Sequence, residues 1–280
     1  MEQTKRHRSS RITHSLAAAG SSFADKDDHE RAELATELFC TPRRTERTTY
    51  EEQLVQTAEI GALSSGLKTY KWGKSGPKVL LMHGWNGRGT QLSAFIEPLQ
   101  AKGCQVVAFD GPAHGDSPGT QAHGIMFAQA ILLAHKELGP FHGVLGHSVG
   151  ATAIVIAMRR GLKVAKSVLI SPASIIGVMH RFAAGLEFSS TATEKFIEKV
   201  AIKADAHMDE REISLLAPYL EADILVFHDH GDLEIPITDS IDFATAYPRA
   251  TLVKTNGHGH RRIIRAQEVV QPAVEFLGQG

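Results

Sequence analysis

An α/β fold, with a mostly parallel twisted sheet flanked by helices, is predicted by three features of this sequence. Short apolar runs alternate with longer amphipathic ones, the alternation lapses once into a polar helical stretch, and 280 residues suit one large core. Composition agrees, with 42% hydrophobic and 22% charged residues, an ordinary globular balance. Thirty Lys plus Arg against thirty-one Asp plus Glu supply no general attraction to nucleic acid or an anionic membrane. Cys40 and Cys104 follow no zinc spacing and make no disulfide framework, so a reducing, cytoplasmic setting is expected. No run approaches the roughly 18 consecutive apolar residues of a membrane-spanning helix, so stable membrane insertion is not expected.

The elements follow in order. MEQTKRHRSSRITHSLAAAGSS is basic and poor in acids, and residues 1–28 are expected to be a disordered tail. HERAELATELF places Ala32, Leu34, Ala35, Leu38 and Phe39 near one helical face before Pro42 stops the run. With a charged link and a second helical stretch this makes an N-terminal helical extension over residues 29–65. The main domain is then 66–280: GLKTYKW and KVLLMH read as strands around a GKSGP turn, followed by QVVAFD, a helix near Ile125 to Leu138, FHGVLG, a helix from Val149 to Arg160, and KSVLIS. After the lapse come DILVFH, a helix around Thr238 to Ala246, ATLVKT and a last helix from Arg261 to Phe276. The lapse, about residues 173–218, reads as a helical insertion. Insertions after the carboxyl ends of strands overlie the ligand crevice of such sheets, which makes it a candidate cap.

Gly146-His147-Ser148-Val149-Gly150 matches G-x-S-x-G between an apolar run and a helical one. That context is what a sharp strand-to-helix turn requires: it exposes the serine, and the flanking glycines avoid clashes with neighbouring backbone. Ser148 is therefore the candidate nucleophile. A serine hydroxyl needs a base to take its proton and a carboxylate to orient that base. Late candidates stand just past apolar runs, in DILVFHDHGDLEIP and ATLVKTNGHGHRR.

HGW at 83–85, FDGPAHGDSPG at 109–119, GHSVG at 146–150, HDHGDLEIP at 228–236 and GHGHRRIIR at 257–265 together resemble the α/β-hydrolase fold superfamily, over roughly Leu67 to Leu277. The likeness extends to bacterial hydrolases that also carry an LF-x-TPRR segment, here LFCTPRR. The resemblance implies a serine hydrolase that cleaves a small-molecule ester or thioester through an acyl-enzyme, with no cofactor. It implies the order Ser, Asp or Glu, His. Asp232, four residues before Pro236, matches the family's acid, with Asp229 and Glu234 as neighbours in the same loop. The family's G-L-G-H-R-R-I-L-R aligns His260 with the base and sets His258 where an apolar residue usually stands. Oxyanion donors are implied at the backbone amides of Val149 and Trp85, with His83, Asp110 and His114 holding the loops around them.

Two other readings stand beside this one. His228-Asp229-His230-Gly231-Asp232 imitates the start of an HxHxDH metal-ligand run, with Leu233 where the last histidine belongs. Some proteins of this fold bind ligands without catalysis, although those usually lose Ser, Asp or His. Serine at the elbow argues against haloalkane dehalogenases, which resemble the fold but carry an Asp there. Amide and lactone hydrolysis stay open because the cap and pocket set substrate choice. Oligomeric state is not legible in the sequence.

Overall fold

The computed structural model describes residues 23, 25–205, 210 and 212–278. The expected tail lies outside the described residues up to position 22 and at position 24. Phe23 is described and buried, with its ring edge-on to Phe188 at 5.6 Å.

The apolar runs form one sheet because each is too short for a helix, and the central ones are buried on both faces, which favours parallel pairing under helical cover. Among the described residues its strands are β1 (Glu59–Ala62), β2 (Lys68–Trp72), β3 (Lys78–Met82), β4 (Gln105–Phe109), β5 (Gly143–His147), β6 (Lys166–Ile170), β7 (Asp223–Asp229) and β8 (Ala250–Thr255). They lie in the order β1-β2-β4-β3-β5-β6-β7-β8. β2 runs antiparallel to β1 and β4, and every pairing from β4 to β8 is parallel. From β3 the chain steps one way to β4 and then the other way to β5. Their carboxyl ends thus border a topological switch point, where α/β sheets place ligands.

The helices are α1 (Asp28–Cys40), α2 (Thr49–Gln56), α3 (Ile96–Ala101), α4 (Gly124–Leu138), α5 (Val149–Arg159), α6 (Ile175–Gly185), α7 (Ser190–Ala204), α8 (Ile237–Ala246), α9 (Gly259–Arg262) and α10 (Gln267–Gly278). One core layer packs α4, α5 and α8 on the sheet around Phe127, Ile131, Ile154 and Phe243. The opposite layer packs α3 and α10 around Phe95, Leu99, Val269 and Val274. The single C-terminal helix expected from Arg261 to Phe276 is interrupted: Ala266 is extended, at φ −71 and ψ 126, between a short 3-10 turn and α10.

A third cluster joins the N-terminal extension to the insertion. Ala32 and Ala35 of α1 are fully buried with Met179 and Ala183 of α6 and Phe196, Ile197 and Val200 of α7. Phe39 stands edge-on to both Phe182 and Phe196, with ring centroids 5.2 and 5.4 Å away. Small alanines on α1 allow its close approach to α7, and each buried Phe adds roughly 1.5–3 kcal/mol. Leu34, by contrast, faces outward. β1 also lies within the 29–65 stretch; its four exposed residues carry no apolar alternation that would announce a strand.

Candidate active site

β5 ends at His147, and the chain turns sharply at Ser148, φ 54 and ψ −125, before α5 begins at Val149. A serine in this left-handed region costs on the order of 1–3 kcal/mol, so the surroundings must enforce it. They do so through backbone crowding. A Cβ on Gly146 would lie 2.7 Å from the Ala151 amide nitrogen, and one on Gly150 would lie 2.4 Å from the His83 carbonyl oxygen and 2.5 Å from that of Met82. The Ser148 N–H donates to the Ile170 carbonyl at 2.9 Å, and the Ser148 carbonyl accepts the Thr152 N–H at 3.0 Å. Its hydroxyl caps no helix amide, which leaves it for another partner.

That partner is His260. Its Nε2 lies 3.0 Å from Ser148 Oγ, and its Nδ1 lies 2.7 Å from Asp232 Oδ2. The three residues follow β5, β7 and β8 at their carboxyl ends, so the sheet converts separations of up to 112 positions into one chain of hydrogen bonds. The other oxygen of Asp232 accepts the amides of Glu234 and Ile235, both at 2.9 Å. Burial alone would raise this carboxyl. Hydrogen bonds from His228 and His260, the nearby His260 charge and the Ile235 amide outweigh it and hold the group well below the usual carboxylate range.

The neighbours of these residues are occupied elsewhere. Glu234 accepts from Arg261 Nε and Nη2, at 2.7 and 3.1 Å. Asp229 accepts the Gly231 amide at 2.8 Å, the Thr255 hydroxyl at 2.9 Å and the His258 amide at 3.0 Å. The His258 ring turns outward to Glu268 at 2.9 Å. The HDHGD run does not converge on one point: His228 faces Ser240 and the Ile235 carbonyl, and His230 is exposed. Among the described residues no group of three or more His, Cys, Asp or Glu is arranged to hold a metal ion.

Gly84, Trp85, Asn86 and Gly87 form a tight turn after β3, closed by the Gly87 N–H donating to the Gly84 carbonyl at 3.0 Å. A Cβ on Gly84 would stand 3.3 Å from Ser148 Cβ, which sets this turn beside the elbow. Val149 is the first residue of α5, where backbone donors have no partner within the helix, and the helix dipole adds positive potential. The turn is braced by His83, whose Nδ1–H donates to the Gly84 carbonyl at 2.7 Å while Nε2 accepts the Gly111 amide at 2.8 Å. Asp110 accepts the Gly89 amide at 2.6 Å, and His114 stands edge-on to Trp85 with centroids 5.0 Å apart. Burial pushes His83 down to about 4 and His114 down to about 3, so both rings stay neutral near pH 7.

Two bracing residues have roles that the sequence pattern does not announce. His147, the variable position of GHSVG, is buried and holds the His260 carbonyl through Nε2 at 2.9 Å. Burial, then the neighbouring His260 charge, pushes it down to about 3. His228, at the end of β7, lies with Nε2 3.4 Å from Asp232 Oδ2. The one available hint is a polar residue ending an otherwise apolar strand.

The family model for the alpha/beta hydrolase family matches residues 79–271, well over half the chain. The chain belongs to the alpha/beta hydrolase family. No curated protein matches it in sequence. Among solved structures, this alpha/beta hydrolase is similar to an esterase of Pyrococcus furiosus, at 19% identity and TM-score 0.61 over 85% of this chain and 98% of that one. It is similar to a monoacylglycerol lipase of Paleococcus ferrophilus at 22% identity and TM-score 0.60, over 76% and 98% of the two chains. A meta-cleavage product hydrolase of Pseudomonas fluorescens matches at 18% identity and TM-score 0.57, over 79% and 98%. At these identities the likeness is one of fold.

Proposed function

We propose that this alpha/beta hydrolase is a serine hydrolase that cleaves a small-molecule ester or thioester, with Ser148, His260 and Asp232 as its catalytic residues. The hydrogen-bond chain from Asp232 through His260 to Ser148, at 2.7 and 3.0 Å, carries the proposal. In this reading His260 Nε2 takes the Ser148 proton as Oγ attacks the acyl carbon, while Asp232 fixes the tautomer through the Nδ1–H. The oxyanion is met by the amides of Val149 and Trp85, each such donor being worth roughly 100- to 1000-fold in rate. His260 then returns the proton to the departing alcohol or thiol and activates the water that releases the acid.

The substrate is read as a small acyl compound and the partner as that substrate alone, without nucleic acid. No cofactor takes part in these steps. Among the described residues no helix is long and apolar enough to cross a membrane. Cys40 and Cys104 are buried free thiols, which fits the proposed cytoplasmic setting.

The test is a series of p-nitrophenyl esters of increasing acyl length, with fluorophosphonate labelling of wild type and Ser148→Ala. Hydrolysis and labelling that both vanish in Ser148→Ala are expected. A wild type that neither turns over nor labels would make the protein a ligand binder, and activity lost to a chelator but kept in Ser148→Ala would make it a metal hydrolase.

A further inference from the structure

The segment between α1 and α2, Thr41 to Thr48, runs without helix or strand across the loops beside the elbow. Three of its residues grip those loops. The Arg43 amide donates to Asn86 Oδ1 at 2.7 Å. Arg44 spends its guanidinium on three carbonyls after β4, those of Gly115, of Ser117 at 2.7 Å and of Gly119 at 3.0 Å. Arg47 reaches Asp116 at 2.6 Å and the Tyr70 hydroxyl at 2.7 Å. From the other side, Arg88 donates to the Thr45 hydroxyl.

The placement of Asn86 gives this grip a chemical meaning. It follows Trp85 in the tight turn and adopts φ 58, a left-handed conformation that asparagine tolerates better than most residues. The Trp85 N–H belongs to the Gly84–Trp85 peptide of the same four-residue turn, and the Asn86 side chain bonds that turn to the strap. The loop that Arg44 holds is joined to the residues flanking this turn by two further bonds, Gly111 N–H to His83 and Gly89 N–H to Asp110.

We propose that the strap Thr41 to Thr48 is a positioning element for the oxyanion turn, with Asn86 and Arg44 as its anchors. The inference rests on the serine-hydrolase reading, because only a developing oxyanion makes the aim of the Trp85 amide matter. A strap that merely held the fold together would change stability. One that aims a donor changes the rate of acyl transfer at nearly constant substrate affinity, since the donor is used most in the transition state.

The experiment compares wild type with Asn86→Gly, which keeps the positive φ accessible but removes the acceptor, and Arg44→Ala. Steady-state kinetics on p-nitrophenyl acetate, inhibition by an arylboronic acid that forms a tetrahedral serine adduct, and thermal melts are measured on the full chain. Both variants are expected to lose about 10- to 100-fold in kcat, with KM within about twofold, and to bind the boronic acid weaker by a similar factor. Should Arg44→Ala fail to fold, Asn86→Gly decides. Full kcat in Asn86→Gly, or a loss confined to KM, overturns the strap's role while an active wild type leaves the hydrolase reading standing. A wild type without turnover or fluorophosphonate labelling sinks both.

Discussion

The elbow at Ser148 and the loop that carries His260 do equal parts of the same proposed chemistry but are built in opposite ways. The elbow is a backbone device: one residue at φ 54 is held by two glycines whose replacement would drive a Cβ into main-chain atoms. The histidine loop is a tertiary device, fixed by bonds from Asp232, from Asp229 through the His258 amide, and from His147 through the His260 carbonyl. Backbone geometry of the first kind is written in consecutive residues. Side-chain placement of the second kind is written across more than a hundred.

The largest expected effect breaks the second device at its end. His260→Ala should reduce ester turnover by about ten thousand- to a million-fold, as loss of a triad base does, without unfolding the protein. His258→Ala should keep most activity, because its ring faces Glu268 rather than Ser148. Parallel p-nitrophenyl ester assays of the two variants check this, and the reverse pattern would move the base by one Gly-His pair. His83 and His147, held near 4 and 3, do not titrate in the neutral range, so they should add no step of their own to the rate profile there.

The first device breaks through Gly150. Its Cβ would stand 2.4 Å from a carbonyl oxygen at the end of β3, a backbone atom that cannot rotate away. Gly150→Ala should therefore cost on the order of 3 kcal/mol or more in stability, read as a lower denaturant midpoint, and should remove activity together with the fold.

This contrast explains what was legible in the sequence. Parallel strands under helical cover must be apolar on both faces, so β3 to β7 announced themselves as runs. GHSVG announced the elbow because a positive φ and close backbone approach leave few residue choices. The choice among Asp229, Asp232 and Glu234 needed the family pattern, since all three are carboxylates in one loop. The bracing roles of His147 and His228 were not legible: each depends on a partner supplied by another strand's loop. β1 was missed because an exposed four-residue edge strand has no buried face to impose alternation. The packing of α1 against α6 and α7 was missed for a similar reason, as HERAELATELF shows an apolar face but not what covers it.

A smaller effect sharpens the comparison at His147. Its hydrogen bond goes to a main-chain carbonyl, so removing it should shift the His260 loop without deleting any reacting group. His147→Phe should lower kcat by about tenfold, the scale of one net hydrogen bond, with KM little changed. Stopped-flow acylation beside thermal melting separates this from general loosening, and an unchanged kcat would remove His147 from the bracing set.

The subtlest prediction concerns Asp229, which ties the histidine loop to the acid loop and carries its own pH signature. Burial opposes ionisation of this carboxyl, but the amides of His258 and Gly259, the Thr255 hydroxyl and the Gly231 amide together hold it down to about 2. An unfolded aspartate titrates near 3.9, so the folded group has the lower value. The stability it contributes is therefore complete above about pH 4 and is lost as pH falls toward about 2. Asn at this position keeps the shape but replaces one acceptor oxygen with a donor that faces other donors. Asp229→Asn should thus be less stable than wild type at pH 7, and the gap should narrow on acidification as wild type surrenders its ionised carboxylate. Urea midpoints at pH 7, 4 and 3 measure it. A gap that stayed constant with pH would mean that Asp229 holds the loop by shape alone, and the tertiary device would lose its electrostatic part.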